Sequence, residues 1–376
     1  MSTTDPVALI AAADEQVSKV RTQGKDFSFN ELLNMHDEGE LIIDPEYQRL
    51  FRWPEEKESR FIESLILELP LPPIFVIEVN GGKYELIDGL QRISSYFHYR
   101  GKLNAPHRNI AVGDSLRLAD CDIVEALNGF TYDELPEALR IKLKRHSVRV
   151  EIIRKESDKR LRYHMFKRLN TGGMLLSEQE IRNCTIRLLD NRFVDFIVEL
   201  SENSDFKNCI SQASEGKLDA RLDQELILRF FTFKNWGDRY TKEVHPFMTQ
   251  FMEAVSGAGA NQIAFDYDHE RRLFEKTFKV LNQTLGVQAF ASVKQSNALY
   301  PFTVYQYESF VFGLQPQLDE IAELVTTKKT EITELFWSIK KDSEFRSLTT
   351  GGGQNTKGDF HARTGFVAKK IREAGL

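Results

Sequence analysis

The stretch from Pro70 to Arg100 leaves this chain few ways to fold. Two β-rich hexapeptides, IlePheValIleGluVal (74–79) and LysTyrGluLeuIleAsp (83–88), flank AsnGlyGly (80–82), a pattern that predicts a hairpin. Pro70, Pro72 and Pro73 stop whatever precedes it, and Gly89 follows the second strand directly. A helical stretch over 90–100 comes next. A strand that ends at a glycine and opens straight into a helix needs a sheet to sit in. This half of the chain therefore cannot be all-helical.

The flanking sequence extends the pattern. Helical spacing predicts helices over 6–22, 28–37 (with Ser28 as N-cap), 54–69, 121–145 and 158–169. Pro54 suits the first position of its helix, and Phe61, Leu65 and Leu69 fall on one face of it. Short strands are expected at 41–44, ended by Pro45, and at 147–154. AsnThrGlyGly (170–173) is a break, and Ser177 with Glu180 forms a capping box that opens the next helix. Beyond it, 185–200, 219–235, 246–255, 267–284 and 316–340 all favour helix. GlyGlyGly (351–353) precedes a last basic helix. The expectation is an α+β chain: a domain over 1–175 with a small mixed sheet, then a mostly α-helical domain over 176–376.

A length of 376 residues, 41% of them hydrophobic, is enough for two cores. The net charge of −6 excludes a uniformly basic surface, so any nucleic-acid contact must come from a local patch. One such patch exists. Residues 140–168 hold twelve Lys or Arg against three acids, Glu151, Glu156 and Asp158. Lys142, Lys144, Arg145, Lys159 and Arg160 are its candidate contacts to nucleic-acid backbone, with a merely solvated helix face as the alternative. Cys121, Cys184 and Cys209 are far apart and show no CxxC spacing, so reduced thiols are expected. The N-terminal MSTTDPVALIAAADEQ has no basic leader, and no apolar run approaches the roughly 20 residues that cross a bilayer. A cytoplasmic protein without membrane contact is expected.

Three pieces carry the chemistry: AspProGluTyrGlnArg (44–49), PheArgTrpPro (51–54) and AspGlyLeuGlnArg (88–92). In the last, Gly89 lets backbone and ligand approach closely, and the helix that follows presents unpaired amides and a partial positive charge. That geometry binds phosphate. Arg92 can fork onto phosphate oxygens, Gln91 can donate or accept beside it, and Asp88 can hold a metal ion or orient a water. A purely structural alternative stands beside this one: Asp88 and Gln91 also have the spacing of a capping box.

Taken in order, these pieces resemble the GmrSD restriction endonuclease N-terminal domain family. The resemblance also rests on PheIleGluSerLeuIleLeuGluLeuProLeuProProIlePhe (61–75), TyrGluLeuIleAspGlyLeuGlnArg (84–92) and PheLysArgLeuAsnThrGlyGlyMetLeuLeuSer (166–177), and it covers about 40–185. It implies a ParB/sulfiredoxin-like fold whose Asp–Gly–x–Gln–Arg turn binds and hydrolyses a nucleoside triphosphate, with Mg²⁺ as companion. Carried onto this chain, Asp88, Gln91 and Arg92 would be the catalytic residues. Gln48, Arg49, Arg52, Gly89, Asn170 and Thr171 would bind nucleotide, and Asp88 would be the metal ligand. The family's usual form has Gln in the third position, where this chain has Leu90.

Many such proteins also carry a C-terminal HNH nuclease. The C-terminal half here has only His245, His269 and His361, widely spaced. There is no GxxxxGKS loop, HExxH or GxSxG. Three functions therefore stay open, with NTP hydrolysis favoured over DNA cutting. The first is a nucleotide-binding regulator that associates with DNA and controls a separate nuclease subunit in prokaryotic defence. The second is an endonuclease or nickase that works through the same pocket. The third is a non-catalytic adaptor of a defence complex. Homo-oligomers are compatible with each.

Overall fold

The computed structural model describes residues 6–17, 21–43, 45–48, 51–157, 165, 168, 177–187, 189–241, 243–257, 262–294, 299–351 and 356–375. The chain divides into two compact units, Met1–Leu175 and Leu176–Leu376. Among the described residues no helix is long and apolar enough to cross a membrane.

The N-terminal unit is built on a five-stranded mixed sheet. Its strands are β1 (Thr22–Ser28), β2 (Leu41–Ile42), β3 (Ile74–Glu78), β4 (Tyr84–Asp88) and β5 (Ser147–Ile153), in the order β1-β5-β3-β4-β2. β3 and β4 are the expected hairpin, antiparallel around the Asn80–Gly82 turn. β5 runs parallel to β3 and antiparallel to β1. Helices α1 (Pro6–Val17), α2 (Phe29–Asp37), α3 (Pro45–Gln48), α4 (Glu55–Ile66), α5 (Leu90–Tyr99) and α6 (Glu137–Arg145) belong to the same unit. Phe29 of α2 packs edge-on against Phe61 of α4 and beside Tyr96 of α5, with ring centroids at 5.7 and 5.4 Å, so the three helices share one core.

Several expectations need correction. The first helix, expected over 6–22, ends at Val17, and residues 22–28, for which no strand was expected, form β1, because they pair residue for residue with β5, from Thr22 opposite Ile153 to Ser28 opposite Ser147. α4 ends at Ile66, Glu68 turns left-handed (φ 57°), and Leu69 is 39% exposed and lies outside the helical stripe. The helix read over 121–145 is real only as α6. Before it, the buried Glu63 carboxylate accepts the amides of Asp122 (3.4 Å), Ile123 (3.1 Å) and Val124 (2.6 Å) and holds that segment as a loop. The helix expected over 158–169 and the break at 170–173 lie almost entirely outside the described residues.

The second unit is helical, apart from two-residue strands at Ser292–Val293 and Leu299–Tyr300. The Ser177–Glu180 capping box is formed: Ser177 N–H donates to Glu180 Oε2 at 2.7 Å, and Glu180 N–H to Ser177 Oγ at 3.2 Å. Helix Leu222–Trp236 runs through the middle of this unit. Leu226, Ile227, Leu228, Phe230, Phe231 and Phe233 bury it on all sides. The helix expected over 316–340 is two, Leu318–Leu324 and Lys329–Lys341. Cys121 and Cys209 are buried free thiols, and nothing is described for the Cys184 side chain.

Candidate functional site

Asp88 is the last residue of β4, and the chain reverses at Gly89 with φ 106°. A side chain is excluded there twice: the φ is left-handed, and a Cβ would lie 2.9 Å from Ile74 Cγ1. α5 opens immediately, and its first ladder bond is Ile93 N–H to the Gly89 carbonyl at 3.0 Å. The helix itself therefore offers no partner to the amides of its opening turn, and Gly89 as N-cap has no side chain to supply one.

The capping box between Asp88 and Gln91 does not form, since Gly89 holds the N-cap position. Gln91 reaches elsewhere. Its Oε1 accepts the backbone amides of Arg52 (3.0 Å) and Trp53 (3.1 Å), which ties the PheArgTrpPro segment to the first turn of α5. The adjoining Tyr47 hydroxyl donates to the Ile87 carbonyl at 3.0 Å, and Gln48 Nε2 to the Asn104 carbonyl at 3.1 Å. Gln48, Arg52, Asp88, Gly89, Gln91 and Arg92 thus stand in one neighbourhood built from two stretches of chain about forty residues apart. Leu90 is 4% exposed and belongs to the core. Arg49, Asn170, Thr171, Lys159 and Arg160 lie outside the described residues, as does Asp44.

Arg92 is engaged with the protein itself. Its guanidinium donates to the carbonyl of Pro72, to that of Pro73 at 3.2 Å and to Asp88 Oδ2 at 3.0 Å. Its side chain is 12% exposed and that of Asp88 34%. Burial raises the Asp88 carboxyl above its ordinary value, against the opposing pull of Arg92 and of a hydrogen bond to the Gly89 backbone. Burial likewise lowers Arg92, against the attraction of Asp88. Both members are pushed toward neutrality, so desolvation outweighs their mutual attraction.

Beneath this neighbourhood lies a polar cluster that the sequence reading missed. Glu58, on α4, is fully buried; its Oε2 is 2.8 Å from His98 Nδ1, and its Oε1 accepts Arg108 Nη1 at 2.8 Å. Arg108 also lies over the Phe51 ring at 4.7 Å, and His107 Nε2 is 3.1 Å from the Phe51 carbonyl. Trp53 packs edge-on against Phe61 at 5.9 Å, with Lys57 over its face at 4.7 Å. The cluster props the 51–54 segment against the unit's core. One signal was legible: Glu58 stands a helical turn before Phe61 and shares its buried stripe.

The basic patch resolves into a defined surface feature. Lys142, Lys144 and Arg145 are exposed in the last turn of α6, where they also complement the negative end of the helix. A cleft of about 380 Å³ opens between the Glu68–Leu71 loop and the α6–β5 junction, and Lys142, Arg145 and Arg149 line it. Burial lowers the imidazole of His146 at its floor, partly countered by Glu68.

Asp88 is the carboxylate at the Gly89 turn, and it is paired with Arg92. Among the described residues no group of three or more His, Cys, Asp or Glu is placed to hold a metal ion. In the helical unit, His245 Nδ1 lies 3.9 Å from Glu225, the His269 amide caps onto Asp266 at 3.0 Å and His361 packs against Phe360.

Residues 29–187 match the family model of the GmrSD restriction endonuclease, N-terminal domain. The match contains the whole Gly89 neighbourhood and runs past Leu175 into helix Glu178–Arg187. Over this region the chain is similar to the N-terminal domain of a restriction endonuclease. No curated protein and no solved structure matches the chain.

Proposed function

With residues 29–187 recognised as a restriction-family N-terminal domain, we propose that the chain binds a nucleoside triphosphate at the Asp88–Gly89–Leu90 turn and thereby regulates a DNA-cutting subunit encoded separately. One observation carries this reading. The Gly89 bend presents the positive end of a ten-residue helix at the rim of a sheet, with a guanidinium a turn away. A phosphate here would take the amides of the opening turn and compete with Asp88 and the two proline carbonyls for Arg92. Arg52 stands across from it on the segment that Gln91 holds. Any Mg²⁺ would arrive on the phosphates, with Asp88 as at most one further ligand.

The adaptor reading also has an observation in its favour: Arg92 is committed to internal partners, and Leu90 buries no polar atom near the turn. Titration calorimetry with ATP, GTP, CTP and UTP, each with Mg²⁺, tests binding. At least one should bind, and Arg92→Ala should weaken it by about 10-fold or more, as loss of a charge-assisted bond does. Phosphate release then separates regulator from adaptor. Binding that Arg92→Ala leaves intact would remove the turn from consideration. Plasmid nicking that Asp88→Ala abolishes would favour the endonuclease instead.

A further inference from the structure

The cleft beside α6 and the Gly89 turn share one piece of backbone. Leu69, Pro70 and Leu71 wall the cleft on one side, with Lys142, Arg145 and Ser147 on the other. The next two residues, Pro72 and Pro73, are the ones whose carbonyls Arg92 holds. Ile74 then enters β3, which pairs with β5 at Val150 and so anchors the far end of the wall. The cleft's volume is within the range of small-ligand sites, and Glu68 is its one acidic lining residue. Arg149 is largely satisfied by Glu151 (3.0 Å) and Asp26 (3.5 Å). Lys142 and Arg145 have no ion-pair partner among the described residues. Both are exposed, so their charge is available to a ligand. Ser147 adds a hydroxyl donor, and His146 is the one aromatic ring among the lining residues, with no Phe, Tyr or Trp beside it. Two unpaired cations and a hydroxyl, with a single half-buried imidazole, fit a sugar-phosphate backbone better than a run of stacked bases.

We propose that this cleft seats a phosphodiester of duplex DNA and that Arg92 couples it to the nucleotide turn. The coupling rests on the nucleotide reading given above; the cleft does not. Without nucleotide, the guanidinium holds the 72–73 carbonyls and keeps the wall in place. A nucleotide phosphate draws the guanidinium away, the wall loses two hydrogen bonds, and the cleft loosens its grip on DNA. Coupling of this kind is reciprocal, so DNA must weaken nucleotide binding by the same factor.

The test is fluorescence anisotropy of a short labelled duplex on the full chain, with and without saturating nucleotide, alongside calorimetry of nucleotide with and without duplex. Nucleotide should lower duplex affinity of the wild type by about 5-fold or more, with an equal effect in the other direction. Arg92→Lys keeps the charge but not the fork, and its duplex affinity should be low and insensitive to nucleotide. Lys142→Gln combined with Arg145→Gln should leave nucleotide binding unchanged and reduce the slope of log affinity against log salt by about 2. If that double variant binds duplex with wild-type affinity and salt slope, the cleft assignment is overturned. Nucleotide that binds normally yet leaves duplex affinity unchanged overturns the coupling alone. Failure of every nucleotide to bind overturns the coupling together with the nucleotide reading, while the cleft stands or falls by the double variant.

Discussion

Arg92 shows why a single guanidinium can serve as both a structural tie and a ligand contact. Its pair with Asp88, at 3.0 Å, lies at the protein's edge, and burial shifts both groups toward neutrality. Such a pair adds little net stability, because desolvation cancels most of the attraction. A triphosphate brings more charge than one carboxylate, so it can take the guanidinium at small cost. Lys340, in the helical unit, is the contrasting case. Its ammonium is fully buried and donates to the carbonyls of Ala289 (3.0 Å) and Ala291 (2.8 Å) and to Gln306 Oε1 (3.1 Å), all neutral groups. Burial lowers it from 10.5 to about 7. Between those values the unfolded chain binds a proton that the folded chain does not, so stability of this unit rises as pH climbs from about 7 toward 10.5 and is flat below. Thermal melts at pH 7 and pH 9 should show the wild type gaining on Lys340→Met at the higher pH. Parallel curves for the two proteins would mean that the lysine titrates normally.

Among the elements, α2 is one whose start the local residues dictate directly. Ser28 Oγ accepts the Glu31 amide at 3.0 Å, while Phe29, Leu32 and Leu33 bury the same helix. Ser28→Ala should cost about 1 kcal/mol, read as a lower urea midpoint for the N-terminal unit, whereas an unchanged midpoint would show that packing alone sets this helix. The hairpin, α5, β5 and the Ser177 capping box were legible for the same reason: each is decided by residues within a turn or two of one another. β1 was not. ThrGlnGlyLysAspPheSer has no apolar alternation, and it is a strand because β5 offers it a ladder at the sheet's edge. The loop before α6 was misread for a related reason: its amides are satisfied by Glu63, some sixty residues earlier. The site divides likewise. Gly89 and its bend follow from local sequence, but the destinations of Gln91 and Arg92 do not. Nothing near Gln91 announces that its amide will reach back to Arg52 and Trp53.

For the whole molecule, each unit has its own core. The second is dense in aromatics: Phe230, Phe231, Phe274 and Phe278 meet in a continuous cluster, and Phe233, Tyr240, Phe247 and Phe360 form another. Through it runs a chain of buried charge, in which Arg182 and Arg229 share Glu225 while Arg229 and Arg363 share Glu308. Removing one member of such a chain strands the rest, so the arrangement is specific to this packing. Residues 176–376 expressed alone should therefore melt cooperatively with helical circular dichroism; a broad, featureless melt would show that the unit depends on residues before it. By itself, the sequence determined where strands and helices begin wherever glycine, proline or a capping pair acts locally. It also carried the ordered motifs by which residues 29–187 are similar to the restriction endonuclease N-terminal domain. Tertiary structure alone decided that Arg92 holds the 72–73 backbone, that Glu58 joins His98 and Arg108 under the 51–54 segment, and that the α6 cations border a cleft. Those outcomes depend on which distant groups satisfy a buried charge or carbonyl, and local patterning holds no information about that.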